Sequence, residues 1–142
     1  MISTPCKYAI RSCIYLSLNE HCCNKIGVKQ ISENLKIPAP ILSKVINILV
    51  KHKLLFSTKG PNGGVCLARP ASEISLLDII AAMDGMDFFE SCLIGSPMCT
   101  KNELHCPVHD KYYPIREQLK NLFSSINIKE LSEEIKNGKR AI

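Results

Sequence analysis

The sequence predicts a mainly α-helical fold with a helix-turn-helix, a two-stranded β wing and a long C-terminal helix suited to dimerisation. Three observations predict it. A short amphipathic run, KQISENL, is followed after a tight connection by a second helical run opening at Pro40. Two short stretches of strand-forming residues flank a glycine-rich tip, KGPNGG. An apolar stripe of Tyr112, Ile115, Leu119, Leu122 and Phe123 then recurs at helical spacing far from the N-terminal half.

The chain has 142 residues, enough for one domain or a small domain with an appended element. Its 46% hydrophobic content supports a core and excludes a disordered chain. It has no run of 18 apolar residues, so no membrane span is expected. The start, MISTPCKYAI, lacks a basic segment followed by an apolar one, so a cytoplasmic protein is expected. Eight cysteines in a reducing compartment point to metal or redox chemistry rather than to a disulfide framework.

The net charge of +5 is unevenly distributed. Residues 1–70 carry ten Lys/Arg against two Asp/Glu, while residues 71–142 carry eight against eleven. Only the first half suits a polyanion. Three units follow: 1–85 as a DNA-binding domain, 86–107 as a cysteine-rich sensory loop, and 108–142 as a dimerisation helix with a short closing helix.

In chain order, Thr4 offers a capping hydroxyl and Pro5 a first helical position. Tyr8, Ile10, Ile14, Tyr15 and Leu18 continue that first helix. The segment HCCNKIG ends it, and Cys22 and Cys23 fall in that connection, where oxidation is the only chemistry to consider. Val28, Ile31 and Leu35 mark the second helix. The third runs from Pro40 to about Lys51, with Ile41, Leu42, Val45, Ile46 and Leu49 as its apolar stripe. Pro40, Ser43, Lys44, Asn47 and Lys51 fall on the opposite face. No Asp or Glu occurs between Asn34 and Ala68, so that face suits the major groove better than an ordinary solvated face.

Leu54–Thr58 and Val65–Ala68 are the expected strands. Gly60, Gly63 and Gly64 permit positive φ at the tip and Pro61 sets a turn. A phosphate-binding nucleotide loop is the rival reading and carries little weight, because the GxxxxGK[ST] order and a following helix start are both missing. The hairpin is therefore a wing, with Lys59, Asn62 and Gly63 placed to meet phosphates or a minor groove. Ser72 or Ser75 caps a fourth helix, SLLDIIAAMDG, which Gly85 ends. A long helix from about Val108 to Ile126 and a short one, IKELSEEIKNG, complete the chain.

Cys92, Cys99, Cys106 and His109 are four soft or borderline donors within 18 residues. Such donors select iron–sulfur clusters, zinc or copper(I) over oxygen-loving ions. Zinc is the competing tenant, although structural zinc sites usually carry C-x₂₋₄-C pairs, and only CPVH has a short spacing here. His105, next to Cys106, is a weaker alternative ligand. Cys6 and Cys13 share a face of the first helix and read as small packed hydrophobes, and Cys66 reads as a structural residue of the wing strand. A Cys106/His109 thiol–imidazole pair lacks a third orienting group, so the chain is not read as an enzyme.

The motifs ISENLKIP, KGPNGGVCLARP and SLLDIIAAMDG, with the cysteine loop, resemble the IscR/NsrR family of bacterial winged-helix transcription regulators along nearly the whole chain. The resemblance implies homodimers on two-fold sites of double-stranded DNA, with half-sites about 34 Å apart. It puts base reading on Ala39, Pro40, Ser43 and Lys44, with Asn47 beside them. It puts the wing arginine of the family's RGPGGG motif on Lys59, which keeps the charge but loses the planar fork. It implies an iron–sulfur cluster on Cys92, Cys99 and Cys106, with His109 as fourth ligand; [2Fe–2S] is expected ahead of [4Fe–4S]. Other members work without a cluster. The spacings here are six residues, one more than the commonest family pattern. Where another branch of the family uses a carboxylate of the partner's first helix, this chain has Cys6-Lys7-Tyr8, which makes Cys6 a substitute candidate. The function implied is a regulator, in the repressor sense, whose operator binding is set by a cluster or redox signal. A zinc-containing or metal-free thiol switch on the same fold is the alternative.

Overall fold

Helix α1 (Thr4–Leu18) starts where the Ser3 hydroxyl accepts a hydrogen bond from the Cys6 N–H. The cap is therefore Ser3, not Thr4, and Thr4 and Pro5 fill the first two helical positions, whose N–H groups have no intrahelical partner. Asp84 accepts from both the Ser3 N–H and its hydroxyl, which ties this start to the far end of the fourth helix. The structure, a computed structural model, describes residues 2–19, 24–95, 99, 105–138 and 141–142. Cys22 and Cys23 lie outside the described residues.

Helices α2 (Val28–Leu35) and α3 (Ala39–Lys51) are joined by a turn with Lys36 in the left-handed region at φ 53°. Ser32 holds the turn twice: its hydroxyl donates to the Ile37 carbonyl at 2.6 Å, and its carbonyl accepts from the Ile37 N–H at 3.1 Å. Arg11 of α1 donates to the Leu35 carbonyl at 2.8 Å, satisfying an otherwise orphaned end of α2. Leu42, Val45, Ile46 and Leu49 of α3 are buried against Ile31, Leu35 and Ile37 and against Ala9, Cys13 and Leu16 of α1. Ile41 departs from the expected stripe and is 40% exposed. It lies about 100° around the helix from Leu42, which turns it away from the core.

Strands β1 (Leu55–Thr58) and β2 (Gly64–Leu67) form the antiparallel wing, with Leu55 opposite Leu67 and Thr58 opposite Gly64. The first strand starts one residue later than expected, and the second is displaced by one residue toward the N-terminus at both ends. Leu54 instead accepts from the Ala68 N–H at the base of the hairpin. Ile26 adds a third partner: it exchanges two 2.9 Å backbone bonds with Val65, so the wing is rooted in the segment before α2. At the tip, Gly63 donates to the Gly60 carbonyl, and Gly60 has φ 106°. A Cβ on Gly63 would lie 2.3 Å from the Thr58 carbonyl oxygen. Gly63→Ala should therefore distort the tip and lower stability by about 1–3 kcal/mol in urea denaturation.

After a single 3-10 turn at Ala71–Glu73, helix α4 (Leu76–Asp84) starts at a complete capping box between Ser75 and Asp78, so the cap is Ser75 rather than Ser72. Gly85 closes it at φ 78°. A short helix, α5 (Asp87–Glu90), opens the segment expected to be loop. Its Phe89 is buried with Cys6 and Ile80 in a second core, packed edge-to-face on Phe123.

Helix α6 (His109–Ser125) begins one to two residues beyond Pro107, with Val108 in the cap position. Its expected stripe divides. Leu119 and Phe123 pack into the second core, whereas Ile115 and Leu122 are exposed at 56% and 49%. Helix α7 (Ile128–Lys136) returns to the main core through Ile128, Leu131 and Ile135. The α6–α7 junction is pinned to the start of α4 by Leu76 N–H to Ile126 O and Ile128 N–H to Ile74 O.

Candidate nucleic-acid interface and metal centre

The first turns of α3 present Ala39, Pro40, Ile41, Ser43, Lys44 and Asn47 to solvent. Ser43 spends its hydroxyl proton on the Ala39 carbonyl at 2.9 Å, which leaves its oxygen as an acceptor. Lys59 and Asn62 are exposed at the wing tip, and Gly63 is half-buried beneath them. Ile41 is the residue of this surface that hydropathy alone assigned to the core. An exposed isoleucine beside Ala39 and Pro40 gives the face an apolar patch of the kind that meets a thymine methyl.

The cysteine segment forms a second cluster at the N-terminus of α6. The sulfurs of Cys92, Cys99 and Cys106 lie within 4.8 Å of one another. The Cys92 thiol donates to the Cys106 sulfur at 3.4 Å, and the Cys99 sulfur lies 3.1 Å from His109 Nδ1. A second set, Cys99, His105 and His109, meets the same 4.8 Å limit, so Cys99 belongs to both. His105 does not turn away as its position before Cys106 suggests. Its ring stacks on His109 with centroids 3.8 Å apart, and His109 stacks in turn on Tyr113 at 5.3 Å.

Electrostatics explains what such a cluster needs. Two thiolates 4.8 Å apart repel by roughly 3–4 kcal/mol at an effective dielectric constant near 20. Three of them cannot all ionise together without a cation between them. The Cys99 thiol follows this rule. The Cys106 backbone hydrogen bond lowers its pKa, but desolvation and the thiols of Cys106 and Cys92 outweigh that, and the net direction is upward. The donor set fits a soft metal: thiolates at about 2.3 Å from one tetrahedral ion are about 3.8 Å apart, close to the span of this triad. Cys99 is 6% exposed, which shields a bound group on one side.

Cys6 and Cys13 have a different chemistry. Both are fully buried in α1. Burial pushes the Cys6 thiol up to about 12, with Asp84 adding to the effect, and burial likewise pushes Cys13 up to about 12. Neither is a ready thiolate, and Cys6 is packed against Ile80 and Phe89 rather than presented as a ligand. Cys66 sits in β2 opposite Phe56.

Sequence reasoning missed Arg116. It is the buried residue of α6, and it reaches back to the segment that carries Cys92. The available signal was spacing: His109, Tyr113 and Arg116 are four and three residues apart and therefore share a helix face.

Comparison with known proteins bears on this arrangement. Residues 2–134 match the family model of Rrf2, an iron-dependent transcriptional regulator. The chain belongs to the Rrf2 family. A relative in Aquifex aeolicus with a provisional helix-turn-helix regulator name is 33% identical over 132 residues, covering 92% of this chain and 90% of that protein. The regulator IscR of Klebsiella pneumoniae is 27% identical over 125 residues, 88% of this chain and 75% of that protein. Among solved structures, IscR of T. potens superposes with a TM-score of 0.78 at 20% identity, covering all of this chain and 93% of that one. The winged-helix fold is thus that of Rrf2 regulators, and the chain is a transcriptional regulator rather than an enzyme. Among the described residues no helix is long and apolar enough to cross a membrane.

Proposed function

We propose that this Rrf2 regulator binds a two-fold operator as a homodimer and that a thiolate-held metal group, an iron–sulfur cluster, sets its affinity. The single observation that carries the sensing half is the convergence of Cys92, Cys99 and Cys106 within 4.8 Å at the start of α6. His109 is the preferred fourth ligand, since its Nδ1 is already 3.1 Å from Cys99, and His105 is the alternative. When bound, an iron–sulfur group would supply a redox-active centre held by these thiolates and His109. The chain's own residues do the rest. Cys92 lies just after α5, while Cys106 and His109 lie at the start of α6, so ligation draws together two segments that join the wing domain to the long helix.

For DNA, Ser43, Lys44, Asn47 and Ile41 face the major groove, flanked by Ala39 and Pro40. Lys59, Asn62 and the Gly63 backbone approach phosphates or the minor groove. Lys59→Ala should weaken operator binding and reduce the slope of log K against log salt by about one, read by fluorescence anisotropy; an unchanged slope removes Lys59 from the phosphate contacts.

For the dimer, the exposed Ile115 and Leu122 lie two turns apart on α6. They flank Leu119 at i−4 and i+3 on the helix, and Leu119 lines a largely apolar cavity of about 360 Å³ with Ile2, Ile80, Phe89 and Phe123, with Lys7 and Asp84 also in its wall.

A zinc-containing thiol switch is the second reading, favoured by the compactness of the triad, which matches one tetrahedral ion. Iron, acid-labile sulfide and zinc analysis of anaerobically isolated protein decides between them. Brown protein with matched iron and sulfide supports the cluster, and colourless protein with stoichiometric zinc supports the rival. Repression is the sign expected of such a regulator, tested by transcription in vitro from its own operator.

A further inference from the structure

Helix α6 is largely exposed, yet the side chain that it buries is charged. Arg116 is only 8% exposed. Placing a guanidinium out of water costs several kcal/mol unless its donors are well used. Here its NH1 donates to the Ser91 carbonyl at 2.7 Å, while its Nε is buried without a partner. A leucine or methionine would fill the same space more cheaply, so the arginine calls for an explanation beyond packing.

The contacts supply one. Ser91 is bonded directly to Cys92, so the hydrogen bond fastens the Cys92 end of the thiol cluster to α6. The other ligand-bearing end, Cys106 to His109, is continuous with α6 itself. The guanidinium also lies over the rings of Tyr112 and Tyr113, at 5.9 and 5.3 Å, and Tyr113 stacks on His109. A closed circuit results: Cys92, Ser91, Arg116, Tyr113, His109, and from His109 Nδ1 to Cys99. One side chain thus touches both the segment that carries Cys92 and the Tyr113 ring that stacks on His109.

We infer that Arg116 is the positioning residue of the thiol site, holding Cys92 within reach of Cys99 and Cys106 so that three sulfurs rather than two engage a metal. This rests on the metal-binding reading above. Outer residues that orient ligands typically change metal affinity 10–100-fold when removed.

Cobalt(II), added anaerobically to the metal-free full-length protein, tests it, because the thiolate-to-cobalt absorption counts the sulfurs bound. Wild type should show a three-thiolate band, with Cys92→Ser as the two-thiolate reference. Arg116→Ala should bind cobalt 10–100-fold more weakly, with a band close to that of Cys92→Ser. Adding Arg116→Ala to Cys92→Ser should cost less than about twofold more, because the residue to be positioned is already gone. A folded Arg116→Ala protein with wild-type affinity and a three-thiolate band overturns the assignment, as does full additivity in the double variant. If Arg116→Ala does not fold, Arg116→Lys carries the test: it keeps the charge but not the planar group over Tyr112 and Tyr113, so it should lose affinity too, and wild-type affinity with a three-thiolate band in it overturns the assignment. A wild-type protein without any thiolate–cobalt band contradicts the metal-binding reading itself, and the role of Arg116 falls with it.

Discussion

Cys99→Ala should remove the bound metal group while leaving the fold in place. Cys99 is the residue shared by the all-thiol set and the thiol–imidazole set, so its loss leaves neither set with three donors. Its sulfur is also the contact for His109 Nδ1, so the preferred fourth ligand loses its fixed neighbour. The expected result is at least a roughly 100-fold loss of metal affinity, more than an outer residue produces, with little change in the thermal midpoint of the apo protein. Cys13→Ala should behave in the opposite way. Cys13 is fully buried in the main core with its thiol held up near 12. Its replacement should lower stability by about 1–2 kcal/mol and leave metal content unchanged. Metal analysis and thermal melts on the two variants together separate a ligand from a packed cysteine.

The second large effect is expected at the exposed face of α6. Ile115→Glu combined with Leu122→Glu places two carboxylates where a second copy of the chain would bury two aliphatic side chains. Sedimentation should show the dimer converted to monomer at micromolar concentration. Operator affinity should then fall by roughly 10²–10⁴, because the second half-site is no longer held at high effective concentration. Both residues are exposed in the single chain, so intramolecular stability should barely change. A variant that stays dimeric and keeps its operator affinity assigns the dimer contact to another surface.

Most of the helical frame was legible in the sequence because strong local signals agreed with one another. Gly85 after α4 and Gly60 at the wing tip mark boundaries where positive φ favours a residue without a side chain, whereas the sequence leaves the start of α4 open between Ser72 and Ser75, and the Ser75–Asp78 capping box decides it. Signals that needed long-range information failed. Thr4 is as good a capping residue as Ser3, but Asp84, eighty-one residues away, selects Ser3. Ile41 is as hydrophobic as Ile46, yet among the described residues no element covers its side of α3. The apolar stripe of α6 could not reveal that α5 exists to receive Leu119 and Phe123 while Ile115 and Leu122 stay outside. At the candidate site, the donor types and their spacing were readable in the cysteines and in His109. The stacking of His105 and the reach of Arg116 to Ser91 were not, because each depends on where the chain returns after the loop.

The central claim is that occupation of the thiol cluster changes DNA affinity. Anisotropy of a labelled operator should be measured anaerobically at one fixed salt concentration, first with the metal-loaded dimer and then after the metal is removed by a chelator. The account predicts at least about a tenfold shift in operator affinity, an allosteric coupling of about 1.4 kcal/mol, and no shift in Cys99→Ala. Equal affinity in the loaded and stripped wild-type protein would contradict it.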